Sequence, residues 1–394
     1  MNTMEFSKMT ASRTKADQEL ILTNARLVLE DTILEGTIFV RDGKIAAIDN
    51  FKSRIGLDME GDYILPGLVE LHTDHLENHY LPRPGVRWDL KSAIQAHDAQ
   101  IAASGITTVF DCLRIGMDES GGFGAGEMKS MSQAIEAAQK DGRLRSEHRI
   151  HLRCEVSAPD VMDRFAEFDD VESVGLVSLM DHAPGQRQFQ TMEQYTLYYK
   201  EKRGLSDEEF AHFVKRRQEQ SALYSARHRK LLADSCSQRR IAVASHDDAT
   251  LAHVEEAKHY GTSVAEFPTS LEAARASHDA GMGVLMGAPN VVRGKSHSGN
   301  IAARELAAEN VLDILSSDYV PASLIHAPFV LADTLSGITL PQAVAMVTAN
   351  PARQVGLEDR GRLADGLKGD LVRVRYQNGL PQVRGVWRDG IRVC

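Results

Sequence analysis

The sequence predicts an α/β protein: a (β/α)8 TIM barrel joined to a small sheet domain assembled from both ends of the chain. Three observations predict it. The 394 residues exceed the ~250 that a barrel typically takes by about what an accessory domain needs. Short, apolar, β-branched runs recur through the middle of the chain, most of them separated by stretches long enough for a crossover helix, which is how buried parallel strands read. Both ends instead alternate polar and apolar residues between turns.

Composition sets the outer bounds. Hydrophobic residues at 43% and charged residues at 25% describe a globular protein, neither disordered nor fibrous. A net charge of -10 disfavours nucleic acid, whose backbone needs a basic face, while leaving a small anionic substrate possible. No run approaches the ~18 apolar residues of a membrane helix, and the opening MNTMEFSKMTASRTKAD lacks the apolar core of a signal peptide. The expectation is a cytoplasmic protein without a membrane or nucleic-acid partner, with homo-oligomerisation left open. Cys112, Cys154, Cys236 and Cys394 form no CxxC pair and read as reduced, structural thiols.

In chain order, residues 1–18 form a flexible lead. From residue 19, LILTNARLVL and GTIFVRDGKIAAID read as strands, with Arg41-Asp42-Gly43 as a hairpin turn. GDLVRVRYQNGLPQVRGVWRDGIRVC near the other end repeats that style, so 19–63 and 355–394 are expected to build one composite sheet domain. Residues 64–354 hold eight runs: ILPGLVELH, GITTVFDCL, RIHLRCEV, SVGLVSLMDH, RIAVASHDD, SVAEFPTS, GVLMGAPN and VLDILSSD. No GxGxxG follows the first, which disfavours an open doubly wound sheet. A helical insertion near 186–238 is longer than one crossover requires and is expected to hold two or three surface helices. Ser206 and Glu209 have the spacing of a capping box, and the segment beginning HAPGQRQF is placed to act as a lid.

Polar residues gather at the run ends: His72 and Asp74, Asp111, Glu155, His182, His246 and Asp318. Barrel active sites sit at the C-terminal ends of the strands, so these residues are placed for chemistry. Within PGLVELHTDHLENH, strand alternation puts His72 and Asp74 on one face and His75 on the other. His72 and Asp74 are therefore the expected ligand pair, His75 packs outward, and His79 lies at the rim. Imidazoles and carboxylates suit Zn, Mn or Fe, and two such ions need five or six ligands. His72, Asp74, Glu155, His182, His246 and Asp318 supply that number, with Glu155 as the expected bridge. Asp318 is expected both to bind metal and to act as general base, with His246 and His182 sharing catalytic as well as ligand roles.

YILPGLVELHTD after a β-rich start, GITTVFD, and the closing AVAMVTANPARQVGLEDRGRLADGLKGDLVRV together resemble the amidohydrolase superfamily. That resemblance implies a metal-dependent barrel joined to a small β-sandwich built from both termini. Its usual His-x-His is His72-x-Asp74 here, no lysine ends the fourth run, and Glu266 stands where a histidine is common. ELHTDHLENH, HRIHLRCEV, LVSLMDHAPGQRQF, SHDDAT, AEFPTS, GVLMGAPNVVRGKSHSGN and ILSSDYVPASL resemble more narrowly the branch that hydrolyses α-D-ribose 1-methylphosphonate 5-triphosphate in the carbon–phosphorus lyase pathway of phosphonate use. The implied products are diphosphate and 5-phosphoribose 1-methylphosphonate, made by attack of an activated water on phosphorus.

A phosphorylated ribose substrate of that kind needs cations and N–H donors around it. Asn290, Arg293, Lys295, His297, Ser298 and Asn300 in the loop after the seventh run, with Arg114 and Arg187, are the expected substrate contacts. A hydrolase acting on a cyclic amide, N-acetyl or amino-heterocycle substrate is the alternative, and a neutral heterocycle does not need Arg293 and Lys295 together. A metal-free scaffold would show gaps among the six ligands, and none is missing.

Overall fold

A computed structural model describes residues 19–116, 126–187, 196, 205–294 and 300–394 of the chain. Five strands open it: β1 (Glu19–Val28), β2 (Ile33–Arg41), β3 (Lys44–Asp49), β4 (Leu57–Asp58) and β5 (Tyr63–Pro66). Eight parallel strands follow, β6 (Leu68–Thr73), β7 (Ile106–Ile115), β8 (Glu147–Glu155), β9 (Val174–Met180), β10 (Ala242–His246), β11 (Val264–Glu266), β12 (Gly283–Gly287) and β13 (Ile314–Ser316), each paired with the next. Three strands close the chain, β14 (Leu371–Gln377), β15 (Leu380–Arg388) and β16 (Ile391–Arg392). Each of the eight expected runs becomes one barrel strand.

The terminal strands form one sheet in the order β16-β15-β14-β5-β1-β2-β3, with β4 beside β1. Gly369 donates to the Gly43 carbonyl, and Gly390 donates to that of Gly369. The two arms thus meet around Leu22, Ile38, Val40, Ile45, Leu371 and Trp387. Both chain ends are needed, because β5 pairs with β1 on one side and β14 on the other. The sheet reaches Pro66, and residues 366–369 lie along residues 43–45 at its edge before β14 begins.

The barrel closes between its last and first strands at the C-terminal end. Asp318 donates its N–H to the His72 carbonyl at 3.1 Å, and Asp74 donates to the Asp318 carbonyl at 3.0 Å. Lower down, the ladder is replaced by Glu70, fully buried on β6. One of its oxygens accepts from His72 N–H at 2.6 Å and the other from Ser317 N–H at 2.5 Å. This carboxylate satisfies two backbone donors that the interrupted pairing leaves over. Burial pushes its pKa up to about 8 despite those donors.

The insertion includes a long helix, Asp207–Arg239, opened by the Ser206/Glu209 capping box; residues 188–195 and 197–204, on which the expected further helices fall, lie outside the described residues. Phe210, Phe213, Ser221, Ser225, Leu232 and Cys236 recur along one buried face, so this side rests on the barrel; Arg217 and Arg229 are buried with it, paired with Glu155 and with Asp181 and Glu256. Among the described residues no helix is long and apolar enough to cross a membrane. Cys112, Cys154 and Cys236 are buried free thiols.

Candidate metal centre

The strand ends deliver two sets of donors. His182, just past β9, and His246, at the end of β10, point Nε2 at Asp247 Oδ2 from 3.8 and 3.5 Å. That oxygen is buried and has no hydrogen-bond partner among the described residues, a costly state unless something else satisfies it. Second, ligand atoms of His72, Asp74 and Asp318 lie within 4.8 Å of one another.

Carboxylates behind the imidazoles fix their direction. Glu266 Oε1 lies 3.0 Å from His72 Nδ1, and its Oε2 lies 3.1 Å from His246 Nδ1. Glu155 Oε2 lies 2.8 Å from His182 Nδ1. A carboxylate at Nδ1 holds the proton there and leaves the Nε2 lone pair free, the arrangement that typically stands behind a metal-bound histidine. Burial would raise the Glu266 carboxyl, but His72, His151 and His246 hold it well below the usual range. Burial likewise opposes ionisation of Glu155, and His182, Arg217 and Ser157 outweigh it, bringing its pKa to about 2.

Asp74 is governed by a buried guanidinium. Arg153 Nη1 sits 2.8 Å from each Asp74 oxygen, and Arg114 lies 3.8 Å away. Although burial works against charge, Arg153, with His72 and Arg114, keeps this carboxyl ionised and far below its usual pKa. Arg114 also pairs with Glu77 at 3.1 Å, which stations it at the rim.

Local backbone aims the two aspartates. Asp247 and Asp318 have φ of 56° and 54°, a left-handed conformation costing about 1 kcal/mol for a residue with a Cβ. Each follows a strand that has just ended, and the turn carries the carboxylate back over the mouth. The chain fits a metal there: imidazole and carboxylate atoms converge, one oxygen is orphaned, and the histidines are oriented from behind.

Other sequence-expected residues fall in different surroundings. Glu155 is occupied on both oxygens by His182, Ser157 and Arg217, so it supports His182 from behind rather than facing both donor sets. Arg187 departs most from expectation. It is buried and ion-paired with Asp248 and Glu256, because a guanidinium withdrawn from water must be neutralised. Asn290 accepts from Ala303 N–H at 3.1 Å and braces the loop; Arg293 ends the helix Ala288–Arg293 in solvent, and Asn300 is half-buried. Lys295, His297 and Ser298 lie outside the described residues. Asp111 is not at the mouth, since β7 runs on to Ile115 and turns Asp111 outward to His97 and His148, each at 2.7 Å.

Sequence reasoning missed Asp247 and Arg153. Arg153 had a signal, because alternation along RCE puts it on the face of Glu155. Asp247 had none, because alternation stops with the strand. Cys112 and His151 also lie near His72, but burial pushes the Cys112 thiol well above its usual pKa, which argues against the thiolate a metal needs.

The sequence pattern of the Amidohydrolase family matches residues 63–393. The α-D-ribose 1-methylphosphonate 5-triphosphate diphosphatase of Escherichia coli (strain K12) is 48% identical over 377 residues, covering 95% of this chain and 100% of that protein. A 5-methylcytosine deaminase from Klebsiella pneumoniae matches with a TM-score of 0.64 at 15% identity, covering 95% of this chain and 98% of that one. An N-acetylglucosamine-6-phosphate deacetylase from Pasteurella multocida gives 0.63 at 13%, covering 95% and 99%. Identities so low speak for the fold alone. Members of the family are generally metal-dependent, and the His/Asp groups at the mouth agree with that. By sequence and by barrel, this chain belongs to the amidohydrolase family.

Proposed function

We propose that this chain hydrolyses α-D-ribose 1-methylphosphonate 5-triphosphate, releasing diphosphate and leaving 5-phosphoribose 1-methylphosphonate. The observation that carries it is the 48% identity to a diphosphatase of that name, extending over 95% of this chain and all of the other. Two divalent ions of zinc, manganese or iron are the proposed cofactors, one held by His182, His246 and Asp247, the other by His72, Asp74 and Asp318. When bound, they supply Lewis acidity that neutralises charge on the phosphoryl oxygens.

The chain's own residues do the rest. Glu266 and Glu155 keep the Nδ1 protons of their histidines, so the opposite lone pairs stay directed into the mouth. Arg153 keeps Asp74 ionised. A carboxylate oxygen of Asp318 takes the proton of the attacking water. Arg114, Arg293 and Asn300, with Lys295, His297 and Ser298 of the same loop, bind the phosphoryl oxygens, while Asn290 and Arg187 hold the walls in place. So highly charged a substrate does not cross a bilayer unaided, which favours action in the cytoplasm.

Phosphorus NMR of the purified chain with the ribosyl triphosphate and Mn²⁺ or Zn²⁺ tests this. Diphosphate and the 5-phosphate product are expected in equal amounts. An intact triphosphate, together with ammonia or acetate released from cyclic amide or N-acetyl compounds, sinks the proposal.

A further inference from the structure

We infer that the outer side of the barrel carries a separate metal site, in which His75, His79 and His97 hold one cation of the Zn²⁺ class. It is independent of the donors at the mouth and of the proposed reaction. The helix His75–Tyr80 starts directly after β6, and the spacing of His75 and His79 stacks both imidazoles on one helical face. The helix Leu90–Ala103 brings His97 against them. Ring centroids lie 5.0 Å apart for His75 and His79, 5.9 Å for His75 and His97, and 6.1 Å for His79 and His97.

Those ring separations approach what a shared ion needs, although the three facing nitrogens do not all lie within 4.8 Å of one another before an ion binds. With a Zn–N bond of ~2.0 to 2.1 Å, tetrahedral coordination sets imidazole centroids about 5 Å apart. The three rings must therefore close and turn toward one another as the ion binds.

The hydrogen bonds point the same way. His75 Nε2, His79 Nε2 and His97 Nδ1 are each buried without a hydrogen-bond partner among the described residues. His97 is fully buried and His75 only 9% exposed. Native interiors rarely leave three such atoms together, and each costs about 1 to 3 kcal/mol if unsatisfied. One ion satisfies all three.

The remaining nitrogens are arranged to suit. His97 Nε2 lies 2.7 Å from Asp111 Oδ1, so its proton stays there and Nδ1 presents a lone pair. Asp111 is itself held by His148 at 2.7 Å, giving the carboxylate support usual behind a metal-bound imidazole. Asn78 Nδ2 is 3.4 Å from His75 Nδ1; with the amide turned over, its oxygen accepts from that nitrogen and frees Nε2. His97, Asp111 and His148 also cluster within 4.8 Å, but their facing atoms are spent on one another. Three imidazoles leave a fourth position for water, and half-buried His79 marks the side of entry. Imidazole donors select zinc, cobalt, nickel or copper over magnesium or calcium. Such an ion pins the helix after β6, and with it the turn that carries Asp74.

Cobalt titration of the full chain, stripped of metal by chelator, tests the inference. The wild type is expected to bind one more equivalent of Co²⁺ than His75→Gln/His79→Gln. A mouth variant that lacks ligands of both proposed mouth ions, His72→Asn/Asp74→Asn/His246→Asn/Asp247→Asn, is expected to keep one equivalent with the visible absorption of four-coordinate, nitrogen-ligated cobalt. Single His79→Gln, at a half-exposed position that folding tolerates, is expected to weaken that equivalent at least 10-fold. Unchanged stoichiometry and affinity in the His79 variant, or a mouth variant that binds no cobalt, overturns the site. Both readouts are independent of diphosphate release.

Discussion

The two ends of the barrel both gather polar and ionisable side chains and put them to opposite use. At the C-terminal ends of the strands, His182, His246 and Asp247 aim atoms at a common point, and Asp247 Oδ2 has no hydrogen-bond partner among the described residues. At the N-terminal ends, Arg360 reaches Glu147 Oε2 and Thr108 Oγ1, each at 2.7 Å, and Lys368 reaches the same Glu147 oxygen at 3.1 Å. Despite burial, Arg360 and Lys368 bring the Glu147 carboxyl down to about 2. Open donors carry function at the cost of stability, whereas closed pairs ordinarily serve the fold alone. Substitutions at the two ends should therefore separate turnover from stability.

The largest effect is expected at the mouth. Asp318→Asn keeps the shape of the side chain and removes its basicity, so turnover should fall ~10³-fold or more. Melting temperature should stay near wild type, and metal content should fall by no more than the one ion that Asp318 helps to hold. Diphosphate release beside metal analysis checks this, and wild-type turnover removes Asp318 from the chemistry.

At the other end, Arg360→Ala leaves the partly buried Glu147 paired with Lys368 and Arg149 and should cost about 1 to 3 kcal/mol of stability. Urea unfolding measures it, and kcat of the folded fraction should be unchanged. A variant as stable as wild type but slower in turnover would reverse the assignment of the two ends.

Asp370, beneath β6, sharpens the contrast through pH. Burial pushes its carboxyl up to about 6, despite the Asp389 N–H it accepts. A raised acid stabilises the fold fully below the unfolded value near 4, and that contribution is lost as pH rises through 6. The loss is at most about 3 kcal/mol. Asp370→Asn stays neutral and keeps the acceptor, so its melting temperature should exceed wild type at pH 8 and not at pH 4. Parallel profiles for the two proteins would refute the linkage.

The smallest effect should come from the carboxylates behind the imidazoles. Glu266→Gln still fills the space but holds the His72 and His246 protons less firmly, so metal affinity should drop ~10- to 100-fold. Equilibrium dialysis reads the change, and an unaltered affinity would mean that Glu266 only packs.

The barrel strands were legible in the sequence because a strand buried on both sides must be continuously apolar, and because His72, His182, His246 and Asp318 sit where those runs stop. Alternation also separated His72 from His75, and the structure turns His75 away from the mouth, towards His79 and His97. It misled at Asp111, where an acidic residue ended an apolar run by eye while β7 continued.

What the sequence alone determined was therefore the fold class, the family resemblance and the strands that carry chemistry, all properties of local pattern. The tertiary structure decided the rest. It brought Asp247 into the site through a left-handed turn, set Glu155 and Glu266 behind histidines, buried Arg187 in ion pairs, and gathered three imidazoles on the outer side. Each depends on which atoms face one another across strands and helices distant in sequence, and on how burial forces every charge there to find a partner.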